Sequence, residues 1–217
     1  MKNILLVGDS IREGYAKYVR ETFKNTANVF YPPENSMFST YIVRFISEWR
    51  LQYDTVDMVH WNAGIWDALH ISDGDSLVPL DVYRNNIDRI CKIIKEYYPE
   101  AKMTFATTTP VIDVPDELYR ISNNDIQKYN AVAVNTVKKH GGAINDLYSL
   151  MINCPSDYHS DRIHYDTVRA AEILTNAISD HICNTLAIKA DKLDFDDVYP
   201  KELGQPAKFE WIKNKGE

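Results

Sequence analysis

The sequence has few cysteines and no long apolar run. Its 217 residues include three cysteines, Cys91, Cys154 and Cys183. Without C-x-x-C spacing they indicate neither a disulfide framework nor a zinc knuckle, and buried reduced thiols are expected. No stretch approaches the roughly 20 apolar residues that a transmembrane helix needs. The first residues also lack the length and cleavage site of a secretory signal, so we expect a cytoplasmic protein that does not associate with membranes.

Basic clusters are missing as well. The formal net charge is −7 at pH 7, from 24 Lys and Arg against 31 Asp and Glu. Because contact with a nucleic-acid backbone needs concentrated positive charge, no nucleic-acid partner is expected. The sequence contains no internal repeat and no low-complexity tract. Its length fits a single α/β domain with a substantial core.

Short apolar runs alternate with helix-like stretches along the chain. This alternation indicates βαβ units, an α/β fold class and a mostly parallel five-stranded sheet. One domain over residues 1–187 is predicted, followed by a C-terminal extension, 188–217, that is packed or partly disordered, with Phe209 and Trp211 as its expected anchors. Strands are predicted at 4–7, 27–31, 55–61, 102–107 and 143–147, and helices at 11–24, 38–51, 80–98, 124–140 and 165–186.

Two connections are longer than the others, one at 69–79 after the third predicted strand and one at 110–122 after the fourth. In an open parallel sheet, ligands bind outside the carboxyl ends of the strands, where such loops emerge. Both loops are therefore predicted to form walls of a binding site.

The stretch Gly8-Asp9-Ser10 directly follows the first predicted strand. A serine at the start of a helix can cap the first N–H groups, which is the default interpretation of an isolated serine. It can also be a nucleophile, since N–H groups at a helix start stabilise an oxyanion. For Asp9 we expect a structural hydrogen-bonding role.

A second polar block, S-D-R-I-H-Y-D, occupies residues 160–166. Asp161 precedes His164 by three residues, a spacing that lets the carboxylate reach the imidazole and fix its tautomer. With Ser10, these residues form an ordered Ser, Asp, His set typical of acyl transfer. Neither G-x-S-x-G nor a P-loop occurs, so the α/β-hydrolase and nucleotide-binding interpretations lose their usual support.

Together with a glycine and an aspartate after the third strand, these two blocks resemble the GDSL-type or SGNH hydrolase family. The resemblance runs from the first strand to the last helix. It implies a flavodoxin-like three-layer α/β/α sandwich and the activity of a serine esterase, lipase or carbohydrate deacetylase. It further implies that Ser10 is the nucleophile, His164 the base and Asp161 its orienting partner. No cofactor is expected.

The two middle blocks depart from the family pattern. The third block is usually G-x-N-D, with the asparagine donating to the oxyanion, whereas residues 62–67 read N-A-G-I-W-D and place Trp66 at that position. This resembles an N-x-G-x-x-D version, in which Asn62 is the nearby amide. The second block, 33–39, lacks the usual glycine, which leaves the backbone of Met37 or the side chain of Asn35. The predicted oxyanion hole comprises Ser10, Asn62, Gly64 and Met37, and the predicted substrate-binding residues are Asn35 and Trp66.

The acidic and imidazole groups near the second polar block could also be drawn as a metal site. The set lacks a recognised zinc spacing such as H-E-x-x-H, so no metal is expected. Its members are Asp157, His159, Asp161, His164 and Asp166.

No long apolar lid or membrane-binding amphipathic helix is visible. We therefore expect a small-molecule or carbohydrate ester as substrate, with a short acyl group, preferably acetyl, removed through an acyl-serine intermediate. Two alternatives stay open: an acyltransferase with the same triad, and a non-catalytic flavodoxin-like binding protein in which Ser10 belongs to a phosphate-holding helix start. The sequence does not specify an oligomeric state.

Overall fold

A computed structural model of the chain describes residues 1–113 and 120–202. Their centre is a five-stranded sheet with the strand order β2-β1-β3-β4-β5 and parallel pairing throughout. This is a doubly wound arrangement in which the chain order reverses beside β1. The strands are β1 Lys2–Val7, β2 Ala27–Phe30, β3 Met58–Trp61, β4 Lys102–Ala106 and β5 Ala143–Asn145.

Helices cover both faces of the sheet and make the predicted three-layer α/β/α sandwich. One face packs against α1 and α7 and the other against α2, α4 and α5. Residues 4–7 of β1 are at most 2% exposed, as expected for a central parallel strand covered on both sides. The helices are α1 Ser10–Thr22, α2 Ser39–Gln52, α3 Ile65–Ala68, α4 Leu80–Tyr97, α5 Asn123–Lys139, α6 Leu147–Met151, α7 Val168–Leu186 and α8 Phe195–Glu202, with a 3₁₀ turn at Ser156–Tyr158.

Two elements start later than the sequence predicts. The last long helix begins at Val168 because Thr167 is its N-cap and accepts the Ala170 N–H, while Tyr165 turns inward and donates its hydroxyl to the Pro110 carbonyl at 2.9 Å. The third strand begins at Met58. The short helices α3 and α6 and the helix α8 carry too little periodicity to be predicted.

Beyond α7, the chain folds back along α1. Phe195 of α8 packs against Tyr18 and Ala171. The predicted anchors Phe209 and Trp211 lie outside the described residues, and the division at residue 187 stays a prediction. All three cysteines are free; Cys91 is buried, whereas Cys154 and Cys183 are partly exposed. None of the described helices has the length and apolar character needed to cross a membrane.

Candidate active site

Ser10 is the first residue of α1 and lies just beyond the carboxyl end of β1. The N-cap of α1 is Asp9, whose Oδ1 accepts the Ile11 N–H at 3.0 Å. Asp9 therefore does the capping that an isolated serine would be expected to do. The Ser10 hydroxyl is left to interact with other groups at the sheet edge.

The imidazole of His164 connects Ser10 with Asp161. Its Nε2 lies 2.8 Å from Ser10 Oγ, and its Nδ1 lies 2.6 Å from Asp161 Oδ2. The other carboxylate oxygen, Oδ1, accepts the backbone N–H groups of Ile163 and His164 at 2.7 and 2.8 Å. A proton on Nδ1 satisfies the carboxylate, so Nε2 is the nitrogen that can accept a hydrogen bond from the Ser10 hydroxyl.

The charges in this cluster keep His164 basic and Asp161 ionised. Burial lowers the pKa of His164, but the hydrogen bond and charge of Asp161, assisted by Asp166 and Asp9, outweigh burial and raise that pKa above its ordinary value. Burial also raises the pKa of Asp161, but hydrogen bonds from the side chain and backbone of His164 hold it well below its usual range. Asp161 is thus a fixed negative charge over the pH range in which His164 titrates.

The loop that carries His164 is attached to the chain that follows β4. The Ile112 N–H donates to the Arg162 carbonyl at 2.9 Å, and Tyr165 reaches Pro110. Within the loop, the Ser160 N–H donates to the His164 carbonyl at 2.8 Å. The described part of the predicted 110–122 wall therefore lies beside the candidate base.

Asn62 lies beside the turn that leads to Ser10. It follows β3, donates its N–H to the Val7 carbonyl at 3.0 Å and is 4% exposed. Its side-chain oxygen presses against Gly8, where a Cβ atom would lie 1.9 Å from Asn62 Oδ1 and 2.9 Å from Arg12 Cβ. Only glycine allows these two segments to approach so closely.

We expect Gly8→Ala to destabilise the protein by about 1–3 kcal/mol, because the added methyl group forces the β1 and β3 ends apart. Urea unfolding followed by circular dichroism measures the change. Gly14→Ala is the matched control in the same region. Its Cβ would lie 3.2 Å from Asp166 Oδ1, and alanine is favoured over glycine inside a helix by up to about 1 kcal/mol. Equal midpoints for Gly8→Ala and wild type would contradict the close approach.

The second block places Asn35 and Met37 over the first turns of α1. The Met37 N–H donates to Asn35 Oδ1 at 2.8 Å, and Asn35 Nδ2 donates to Glu13 Oε2 at 3.0 Å. Met37 has a φ of 44°, a left-handed conformation in which a glycine, as in the pattern that this block resembles, would be unstrained. A substrate oxygen at Met37 would have to compete with Asn35 Oδ1 for the N–H.

The third block places Gly64 directly before α3. Its φ is 149°, and a Cβ there would lie 2.4 Å from Thr108 Oγ1. Trp66 is half-buried and packs against the core on the α2, α4 and α5 face. Both residues remain predicted members of the site, with much of the Trp66 ring used for packing.

Asp67, the last residue of the third block, has a structural use that sequence reasoning missed. It is buried and accepts the N–H and the hydroxyl of Ser39 at 3.0 and 2.5 Å. Asn86 donates to the same hydroxyl at 3.0 Å, and burial raises the pKa of Asp67 to about 7. Asp67 therefore anchors the start of α2 and the end of the 33–39 loop. The sequence shows Ser39 near the start of a predicted helix, but it does not show that the distant Asp67 is its hydrogen-bond partner.

The alternative metal interpretation of the 157–166 segment is not reflected in the geometry. Among residues 1–113 and 120–202, no three His, Cys, Asp or Glu side chains are grouped so that they could hold a metal ion. The His159 ring instead packs on Tyr165 with its centroid 4.0 Å away.

The fold has counterparts among solved structures. A lipase/acylhydrolase from Enterococcus faecalis matches with a TM-score of 0.67 and 20% identity, over 89% of this chain and 100% of its own. An acetyl xylan esterase matches with a TM-score of 0.66 and 16% identity, over 83% and 99% of the two chains. A protein described as a GDSL-like lipase, from Parabacteroides merdae, matches with a TM-score of 0.66 and 12% identity, over 82% and 94%.

These likenesses confirm the predicted fold class: the chain has the α/β/α sandwich of the SGNH hydrolases. At the level of sequence, no family model and no curated protein matches it. At such low identity the shared fold alone is demonstrated, since one fold hosts many activities. The chemistry of this chain has to be argued from its own side chains.

Proposed function

We propose that the protein is a serine-dependent ester hydrolase of the GDSL type. The observation that carries this proposal is the continuous hydrogen-bonded series from Ser10 Oγ through His164 to Asp161, with distances of 2.8 and 2.6 Å. Ser10 is separated from His164 by 154 positions in sequence, and the three side chains meet at the carboxyl edge of the sheet. A phosphate-binding module would not need a base oriented by a carboxylate, so this series favours catalysis.

The geometry supports acyl transfer in two steps. As Ser10 Oγ attacks the ester carbonyl, His164 Nε2 takes the hydroxyl proton and then gives it to the leaving alkoxide. Water repeats the sequence on the acyl-serine, losing its proton to Nε2, and releases the acid and the free Ser10. The Ser10 N–H at the start of α1 is the first proposed donor to the developing oxyanion. Asn62, Gly64 and Met37 are the proposed additional donors.

We further propose a short acyl group, acetyl in particular, on a carbohydrate or similar polar ester. The cavity beside the nucleophile is lined by residues that include Ser10, Gly14, His164 and Asp166, and its volume is about 10 Å³. This is about the space that one water molecule needs, and its lining includes none of the other proposed oxyanion donors, so this cavity does not decide the acyl length. The substrate class is supported by the likeness in fold to an acetyl xylan esterase.

The test compares p-nitrophenyl acetate, butyrate and octanoate with the wild-type protein. We expect the highest kcat/KM for acetate and a loss of about tenfold or more for octanoate, because even one methylene that does not fit costs about 1–3 kcal/mol of transition-state stabilisation. An alkyl fluorophosphonate should label Ser10, identified by peptide mass spectrometry. The same reagent should not label Ser10 in urea, where His164 no longer activates it. Product analysis with added sugar acceptors separates hydrolysis from acyl transfer.

A folded protein that turns over none of these esters, releases no acetate from acetylated xylan and takes no label at Ser10 would contradict the esterase proposal. Faster turnover of octanoate than of acetate would contradict the short-acyl part alone.

A further inference from the structure

Arg12 is buried one turn into α1 and makes no ion pair with any described residue. It is 2% exposed, and burial lowers the pKa of its guanidinium. An arginine in such a position costs stability unless its N–H groups are satisfied. Here, Nη2 donates to the Glu34 carbonyl at 2.6 Å and approaches the Gly8 carbonyl at 3.4 Å, while Nε has no hydrogen-bond partner among the described residues. The side chain is therefore used to contact backbone carbonyls.

These two carbonyls belong to separate blocks of the candidate site. Gly8 ends the turn that presents Ser10, and Glu34 lies in the 33–39 loop. The Ser36 N–H also donates to the Gly8 carbonyl, at 3.0 Å. We call Arg12, the Gly8 and Glu34 carbonyls and the Ser36 N–H the loop clip. It ties the second block to the turn that carries the nucleophile.

The loop clip and Asp67 hold the second block from both ends. Between them lies Met37 with its φ of 44°. A non-glycine residue stays in this left-handed region only where its surroundings enforce it, and such strain is commonly found at functional sites. The contact between Asn35 and Glu13 shows that this segment lies over α1 close to Ser10. The clip therefore fixes where the loop backbone stands relative to the nucleophile.

We propose that Arg12 is a positioning residue for the oxyanion region: it holds residues 34–37 against the Ser10 turn so that the loop backbone meets the charge developing on the substrate. The proposal rests on the esterase function argued above. Both carbonyls lie near the same nitrogen, Nη2, whereas a lysine ammonium is a compact point charge with a different reach. Arg12→Lys should therefore replace it only in part.

The chain offers a matched control for packing. The guanidinium carbon Cζ of Arg12 lies 5.7 Å from the centroid of the Tyr31 ring, and Cζ of Arg20 lies 4.8 Å from the same centroid. Arg20 is exposed at the far end of α1, and within the described chain it makes no hydrogen bond to the 33–39 loop. Loss of Arg20 removes a similar cation and ring contact and leaves the loop clip intact.

The experiment measures p-nitrophenyl acetate kinetics and amide hydrogen exchange in Arg12→Met, Arg12→Lys and Arg20→Met. For Arg12→Met we expect kcat to fall by about 100-fold, comparable to the loss of one oxyanion donor, with KM within about twofold because substrate binding is largely retained. Exchange in the 34–37 segment should accelerate. In a fourth variant, Arg12→Ala, millimolar guanidinium should restore part of kcat. Arg20→Met should match wild type in both measurements.

Either of two results in folded Arg12→Met would overturn the proposal. One is amide hydrogen exchange at 34–37 as slow as in the wild type, and the other is a kcat equal to that of an active wild type. If Arg12→Met does not fold, Arg12→Lys is the deciding variant by the same two measurements. A wild type without ester turnover and without label at Ser10 would instead contradict the esterase function, and the exchange rates would still show whether Arg12 holds the loop.

Discussion

Ser10→Ala is expected to lower kcat for ester hydrolysis by about 10⁴- to 10⁶-fold, because no acyl-serine can form and His164 has no hydroxyl to deprotonate. Structural stability should change little, since Asp9 and not Ser10 caps α1. Steady-state hydrolysis of p-nitrophenyl acetate measures the loss of kcat, and urea unfolding of the same preparation measures the change in stability. The fluorophosphonate label should be absent at position 10.

Ser179→Ala is the matched control for this substitution. Ser179 is buried in α7, outside the candidate site, and its hydroxyl has no hydrogen-bond partner in the described part of the chain. Removing an unpaired hydroxyl is expected to be neutral or slightly stabilising, and kcat should stay within about threefold. Equal rates for Ser10→Ala and wild type would show that Ser10 is not the nucleophile.

The layout of the sheet could be predicted because parallel strands buried on both faces leave strong local signals. β1 is an unbroken apolar run, and the amphipathic periods of α4 and α5 indicate their inner faces. Gly8-Asp9-Ser10 and Asp161-Arg162-Ile163-His164 are local motifs, so their residue types and order were visible. Their meeting in space follows once the parallel sheet brings the strand ends to one edge.

The supports of the site could not be predicted in the same way, because each depends on a partner far away in sequence. From the sequence alone, Arg12 near the start of a predicted helix looks like a solvent-exposed charge. Its burial becomes visible only once the 33–39 loop is placed over it. Likewise, Asp67 meets Ser39 only after α3 turns back toward α2. Whether the Met37 N–H is already bonded to Asn35 Oδ1 depends on the side-chain rotamer of Asn35. The spacing of residues along the sequence does not specify that rotamer.

The same contrast applies to the proposed oxyanion region, where the sequence departs from the SGNH pattern that it resembles. The proposed triad consists of three side chains and tolerates change elsewhere. An oxyanion hole is built from backbone positions, and the 33–39 loop reaches its position through the loop clip at one end and Asp67 at the other. Where the pattern that the sequence resembles has a glycine, this chain has Met37 in a strained conformation, so the loop depends on these two anchors more than a glycine-containing loop would.

Asp161→Asn is expected to lower kcat by about 10³- to 10⁴-fold and to move the acid limb of the pH profile downward. The loss of rate follows because an amide can stabilise the wrong imidazole tautomer and carries no charge to stabilise the imidazolium. The shift follows from the balance at His164, where burial lowers the pKa and Asp161 raises it above the ordinary value. Without the carboxylate, burial dominates, so His164 stays neutral to lower pH. The measurement is kcat/KM for p-nitrophenyl acetate between about pH 4 and 9, which spans the ordinary histidine pKa.

Asp166→Asn separates charge from orientation in this prediction. Asp166 raises the pKa of His164 through its charge, without the hydrogen bond to Nδ1 that Asp161 makes. Its replacement should therefore move the acid limb in the same direction by a smaller amount and leave kcat within about tenfold, whereas Asp161→Asn changes both strongly. An acid limb that rises in Asp161→Asn, or equal losses of kcat in the two variants, would contradict the orienting role of Asp161. The difference between the two variants thus isolates what the 2.6 Å contact between Asp161 and His164 contributes beyond negative charge.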